Sequence, residues 1–84
     1  MSIYAFMDRL GREIRIIRND IQIADTKAIF FSENILDLFA EESIEEGDIV
    51  RTLDTNHLYR VIYVSEIRDE HGNIDHKRAE VQLI

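Results

Sequence analysis

A chain of 84 residues with 45% hydrophobic and 32% charged side chains has the balance of one folded domain, because two cores at this length would each bury too little apolar surface to offset the entropy of ordering. A formal charge of -7 with no basic patch argues against a protein that grips nucleic acid through its phosphates, and the absence of cysteine excludes a disulfide framework or a thiolate metal site. No apolar run approaches the ~20 residues of a membrane span, and MSIYAFMDRL lacks the basic start and long apolar core of a signal peptide, so no membrane association and a cytoplasmic chain are expected.

The first eleven residues read as a short helix. Ile3, Phe6, Met7 and Leu10 recur at helical spacing on one stripe, Ser2 is placed to cap the free amides, and Gly11 offers the left-handed conformation common just past a helix end. A helix this short is marginal alone, so its stripe must dock on a sheet or on a neighbour. From Arg12 the period changes to two. Strands are expected near Glu13 to Arg18, Ile21 to Ile23 and Thr26 to Phe31, with Asn19 and Asp20 as a turn or bulge. The segment 32–46 reads as a loop, with a short helical piece around Ile35 to Glu41 capped by Ser32 or Asn34.

A turn at Glu46 and Gly47 then leads to a strand from Asp48 to Leu53, a polar tip at Asp54 to His57, and a long strand from Leu58 to Ile67. The EHGN tip returns the chain into a last strand, Lys77 to Ile84. In the long strand Tyr59, Val61 and Tyr63 alternate with Leu58, Ile62 and Val64. One side is expected to fill a barrel interior and the other to be partly covered by the helix. The fold expected is mainly β: a small antiparallel barrel over 12–84, SH3-like or OB-like, with a short N-terminal helix.

The sequence offers no catalytic motif, and no enzyme and no cofactor are expected. His71 and His76 flank a hairpin tip and could meet there with Asp69 or Asp75, but no ligand spacing fixes a metal site, and a solvated tip is the simpler reading. His57 has no partner pattern. Ser2, Ser32, Ser43 and Ser65 lack the neighbours that mark a nucleophile, and three ungrouped glycines make no phosphate loop. Tyr4, Phe30, Phe31, Tyr59 and Tyr63 could form a stacking platform, yet without interleaved basic residues they read as core. Arg9, Arg12, Arg15 and Arg18 recur every third residue but cross from helix to strand, so they read as a scattered solvated set.

Several of these stretches carry a family resemblance. An alternating first strand (Ile14, Ile16, Arg18), a following strand with Lys27, Ile29 and Phe30, a turn and strand with Gly47, Asp48 and Ile49, and a strand with Tyr59 and Val61 resemble the small head-tail joining proteins of tailed bacteriophages, also called head closure or connector proteins. The likeness spans residues 12–67. It implies a structural virion protein, assembled in the bacterial host cytoplasm as a homo-oligomeric ring. Its partners would be portal or adaptor and tail proteins, and DNA would pass through without specific binding. An acidic surface at Glu41, Glu42, Glu45 and Glu46 would repel the phosphates of such a duplex and let it slide. Closing a ring takes two different patches per subunit. The candidates are the stripe Ile3, Phe6, Met7 and Leu10 and the apolar segment Ile35, Leu36, Leu38 and Phe39, both outside the predicted sheet. Two other readings stand beside this one. One is a small acidic regulator that binds a basic host protein; the other is an SH3-like peptide module with Tyr59 and Tyr63 in its groove.

Overall fold

In the computed structural model, which describes residues 3–84, the two-residue period from Arg12 onward turns one side chain of each pair inward. Ile14, Ile16, Ala28, Leu36, Leu38, Val50, Val61, Ala79 and Val81 converge on one core and are almost wholly buried. Six strands carry them: β1 (Arg12–Arg18), β2 (Ile21–Ser32), β3 (Ile35–Phe39), β4 (Ile49–Thr52), β5 (Leu58–Arg68) and β6 (Ile74–Leu83). Their order around the sheet is β1-β2-β3-β6-β5-β4, closed and antiparallel throughout. The topology is two consecutive meanders sealed by two seams, β1 on β4 and β3 on β6. A single short helix, α1 (Tyr4–Leu10), precedes them. The mainly β barrel with a short N-terminal helix is therefore what the sequence folds into.

The turns follow local chemistry. Asn19 and Asp20 both have positive φ and link Arg18 directly to its partner Ile21, a two-residue hairpin turn of the hand that suits twisted strands. At the β5–β6 tip, Gly72 takes φ +82° and Asp69 accepts the amides of His71 and Asn73. At the β4–β5 tip, the hydroxyl of the buried Thr52 accepts the His57 amide at 3.0 Å.

Several details differ from the sequence reading, among them the last strand, which begins at Ile74. Residues 21–32 form one continuous strand, because Asp25 faces outward and is held by Arg15 instead of breaking the ladder. The expected loop with a helical piece at 35–41 is instead β3. Its ILDLF run alternates, sending Leu36 and Leu38 inward and leaving Asp37 to pair with Arg78 on the outer side. On β5 a bulge sets Val61 opposite Val81 but Tyr63 opposite Glu80, so the alternation slips: Tyr59 and Val61 face the core while Ile62 and Tyr63 both emerge. Finally, Gly11 is extended, with φ −70°. Glycine is required there because a Cβ would stand 2.4 Å from the Met7 carbonyl oxygen. The expected Ser2 cap lies outside the described residues.

Helix α1 lies over β2, β3 and β6, not over β5. Tyr4 stacks on Phe39 with ring centroids 4.8 Å apart, Met7 is buried, and the Ile3 amide donates to the Asp75 carboxylate. The outer side of β5 is left uncovered by it.

Because Leu36 and Leu38 are core residues, Leu36→Ala and Leu38→Ala should each cost about 2–5 kcal/mol, the usual loss for truncating a buried leucine. Phe31→Ala, at a position 71% exposed, should stay within about 0.5 kcal/mol of the parent. Urea unfolding of the three variants checks the contrast. A mild effect at Leu36 and Leu38 would contradict the strand assignment.

Candidate functional site

The residues singled out by the sequence divide sharply once folded. Of the helix stripe, Ile3 and Met7 are buried against the barrel, while Phe6 and Leu10 remain 39% and 57% exposed. Of the second apolar segment, Leu36 and Leu38 are fully buried, and Ile35 and Phe39 are half-buried, Phe39 under Tyr4. Phe6 and Leu10 of the first patch, and in part Ile35 and Phe39 of the second, remain accessible. Leu36 and Leu38 cannot serve an interface because they fill the core.

The acidic cluster is mostly tied down. Tyr4 donates its hydroxyl to Glu41, which raises the phenol above its ordinary value. Glu42 accepts from the Thr26 hydroxyl at 2.9 Å, and its carbonyl accepts from Lys77 at 2.7 Å. Glu45 pairs with Arg18 at 2.9 Å. Arg18 also forks onto Asp48, with two contacts of 2.8 Å, and Asp48 is almost fully buried where it accepts the Glu45 amide. Glu46 is exposed.

Of the four spaced arginines, Arg9 is exposed, whereas the other three are engaged within the fold. Arg12 grips Asp54, Arg15 grips Asp25 and Arg18 grips Asp48, each through two nitrogens. These guanidinium contacts hold the Asp25 and Asp54 carboxyls below their ordinary value. The aromatic platform does not form: Tyr59 is in the core, tilted against Phe30, whereas Phe31 and Tyr63 are exposed at separate places. The two tip histidines are also separated. His71 sits at the exposed β5–β6 tip beside Glu70, and His76 lies inward on β6.

Two arrangements are not legible in the sequence pattern. The first is an apolar groove of about 270 Å³ under helix α1, lined by Phe6, Leu10, Ile29 and Phe31, with Asp37 and Asp75 at its polar side. Behind it His76 donates from Nδ1 to Asp75 at 2.7 Å, while its buried Nε2 is 3.6 Å from Asp37 and makes no hydrogen bond. Arg78 forks onto Asp37 at 2.8 and 3.2 Å and lies over the Phe31 ring. Asp75 thus joins the helix start to the barrel. Its carboxyl is held below the ordinary value first by the His76 bond and also by the Ile3 amide.

The second arrangement is on the opposite half of the barrel. Arg15 and Arg51 are direct cross-strand partners on the outer side of β1 and β4, and Arg60 stands beside them on β5, opposite Ile49. Arg15 is neutralised by Asp25. Neither Arg51 nor Arg60 has an ion-pair partner among the described residues, and Arg51 Nε is buried without a hydrogen bond. Like charges directly opposite one another are destabilising in an isolated sheet. The bulged Ile62, 47% exposed, and Tyr63, 52% exposed, project from β5 next to Arg60.

Asp25, Asp54 and Asp75 all have folded values below the unfolded one, so their contribution to stability is present above the usual carboxylate range and is lost as pH falls through the folded values. The thermal midpoint should be flat from about pH 7 to about pH 5 and fall below about pH 4. Asp75→Asn should remove part of that fall and speed amide exchange in helix α1 while leaving the core strands protected. An unchanged acid profile would mean that Asp75 does not anchor the helix. Comparison of the chain with family models, with curated proteins and with solved structures finds no match, and its site is defined by its own geometry.

Proposed function

We propose that this chain is a non-enzymatic assembly subunit: a ring-forming connector that joins the head portal of a phage particle to its tail. The observation that carries the reading is the division of the exposed apolar side chains. Phe6, Leu10 and Phe31 gather beside helix α1 and Ile62 and Tyr63 project from β5, while Tyr4, Ile21, Ile23, Leu53, Leu83 and Ile84 are further exposed apolar side chains. Ring closure needs two unlike patches on each subunit. The resemblance in residues 12–67 to head closure proteins supplies the biological setting. Net charge of -7 suits a wall past which DNA slides, since a surface of that sign does not hold phosphates.

The rival readings have less support. Mimicry of a nucleic acid by an acidic regulator wants an open array of carboxylates, and Glu41, Glu42 and Glu45 are each engaged within the fold. A peptide groove built on Tyr59 and Tyr63 is weakened by the burial of Tyr59 in the core.

Co-expression with the portal and tail proteins of the same particle, followed by sedimentation, tests the joining role. The expected result is one defined complex containing this chain with at least one of those partners. Failure to co-sediment with either would remove the joining role.

A further inference from the structure

We infer that two copies of this chain pair edge to edge through the far half of β5, so that one sheet runs through both barrels. The inference goes beyond the joining role and does not depend on it. A twofold contact of this kind closes on itself, and it adds to the unlike patches that a ring needs.

The edge is read from the backbone. Strand β4 meets β5 only at Leu58, Tyr59 and Arg60, and Val61 is then taken by the loop, accepting from the Gly47 amide and donating to the Asp48 carbonyl at 2.8 Å each. Beyond Val61 the one neighbour of β5 is β6. Val81 donates to Asn34 on the β3 side, so by antiparallel alternation Glu80, Arg78 and His76 turn toward β5, and their partners Tyr63, Ser65 and Ile67 turn toward β6. Val64, Glu66 and Arg68 therefore aim their amides and carbonyls away from the barrel. No backbone group of the described residues meets them. Apart from water, a row of alternating donors and acceptors is satisfied only by another extended backbone.

Side chains decide which strand that is. Antiparallel pairing of this edge with its own copy can match free residues to free residues about Ser65, Glu66 or Ile67. A centre at Glu66 opposes that carboxylate to itself, and a centre at Ser65 sets Ile62 against the partner's Arg68. A centre at Ile67 sets Glu66 opposite the partner's Arg68, and Arg68 opposite the partner's Glu66. Opposite charges across a strand pair stabilise it and like charges do the reverse, which selects the last register. Ile67 then meets its own copy on the axis, at a non-hydrogen-bonded position where side chains stand closest. Within one copy Glu66 and Arg68 touch only at 3.4 Å and are 45% and 54% exposed, so both are open to a partner. Arg68 holds the Gly72 carbonyl with Nη1 and keeps Nη2 for carboxylates. The other one-sided stretch, β2 before Ala28, is a poorer strand to pair, because Arg15 grips Asp25 and Glu42 lies on Thr26. The contact is small, which places the dimer in the weak, concentration-dependent class.

Sedimentation equilibrium over rising concentration, with Glu66→Arg and Arg68→Glu, tests this. Both positions are exposed, so each variant should keep the parent's circular dichroism. The parent should reach a dimer and go no further through this edge, and each variant alone should require at least tenfold more protein. An equimolar mixture sets two arginines of one variant against two glutamates of the other, and should form a 1:1 dimer at the parent's concentration. Glu66→Pro removes an amide that no strand of the same copy uses, and should abolish pairing with the thermal midpoint retained. A parent that stays monomeric at every concentration, variants that dimerise like the parent, or a mixture that remains monomeric would each overturn the contact. Co-sedimentation with portal and tail proteins judges the joining role separately, and neither result decides the other.

Discussion

The pairing of β3 with β6 and of β1 with β4 is the constraint on which the rest of this structure depends. Each meander alone would leave two rows of unpaired amides and carbonyls and half of its apolar face in water. The seams run from Ile35 opposite Glu80 to Phe39 opposite His76, and from Ile14 opposite Thr52 to Ile17 opposite Ile49. They satisfy those backbone groups and bring Leu36, Leu38, Ile14 and Ile16 onto one core. Small residues make the closure possible: Ala28 and Ala79 are fully buried where bulkier side chains from neighbouring strands need room. Every strand has two neighbours, although β2 before Ala28 and β5 beyond Val61 are paired on one side only.

Guanidinium–carboxylate forks reinforce the same closure. Arg18 ties the end of β1 to Asp48 at the start of β4, and Arg78 ties β6 to Asp37 of β3, so one fork sits at each seam. Arg12 and Arg15 reach Asp54 and Asp25 in the same way. Exposed pairs such as these two contribute little net stability. The Asp48 fork differs because its carboxylate is 2% exposed, and its main effect is to fix where the 40–48 connection meets the barrel. In a strongly acidic chain most arginines are thus used within the fold. Arg9, Arg51 and Arg60 have no ion-pair partner among the described residues, and the last two share a face with Ile62, which the β5 strand leaves exposed.

The barrel was legible because its signal is local. Alternation in REIRIIR and in LYRVIYV, a polar pair at Asn19 and Asp20, and glycine at the tips all follow from what a twisted two-faced sheet demands of neighbouring residues. The ILDLF segment was misread because five residues with apolar groups at spacings of one, two and three fit a helical turn as well as a strand. Burial of Leu36 and Leu38 against β2 and β6 decides between them, and that contact is with residues distant in sequence. The phase slip on β5 was equally invisible, since a bulge is defined by the partner strand and not by the strand that carries it.

By itself, then, the sequence determined a small mainly β barrel, its short leading helix, most of its turns and a net charge of -7. These depend on composition and on side chains a few positions apart. Tertiary structure alone decided which surface is left for function. It buried half of the candidate interface, tied down three of four candidate acidic residues, and opened the groove between α1 and Phe31. It also set Arg15, Arg51 and Arg60 on one face although they are far apart in the chain. The reason is geometric: a closed barrel places strands by seams between distant segments, and the outer neighbours of any residue are fixed by those seams.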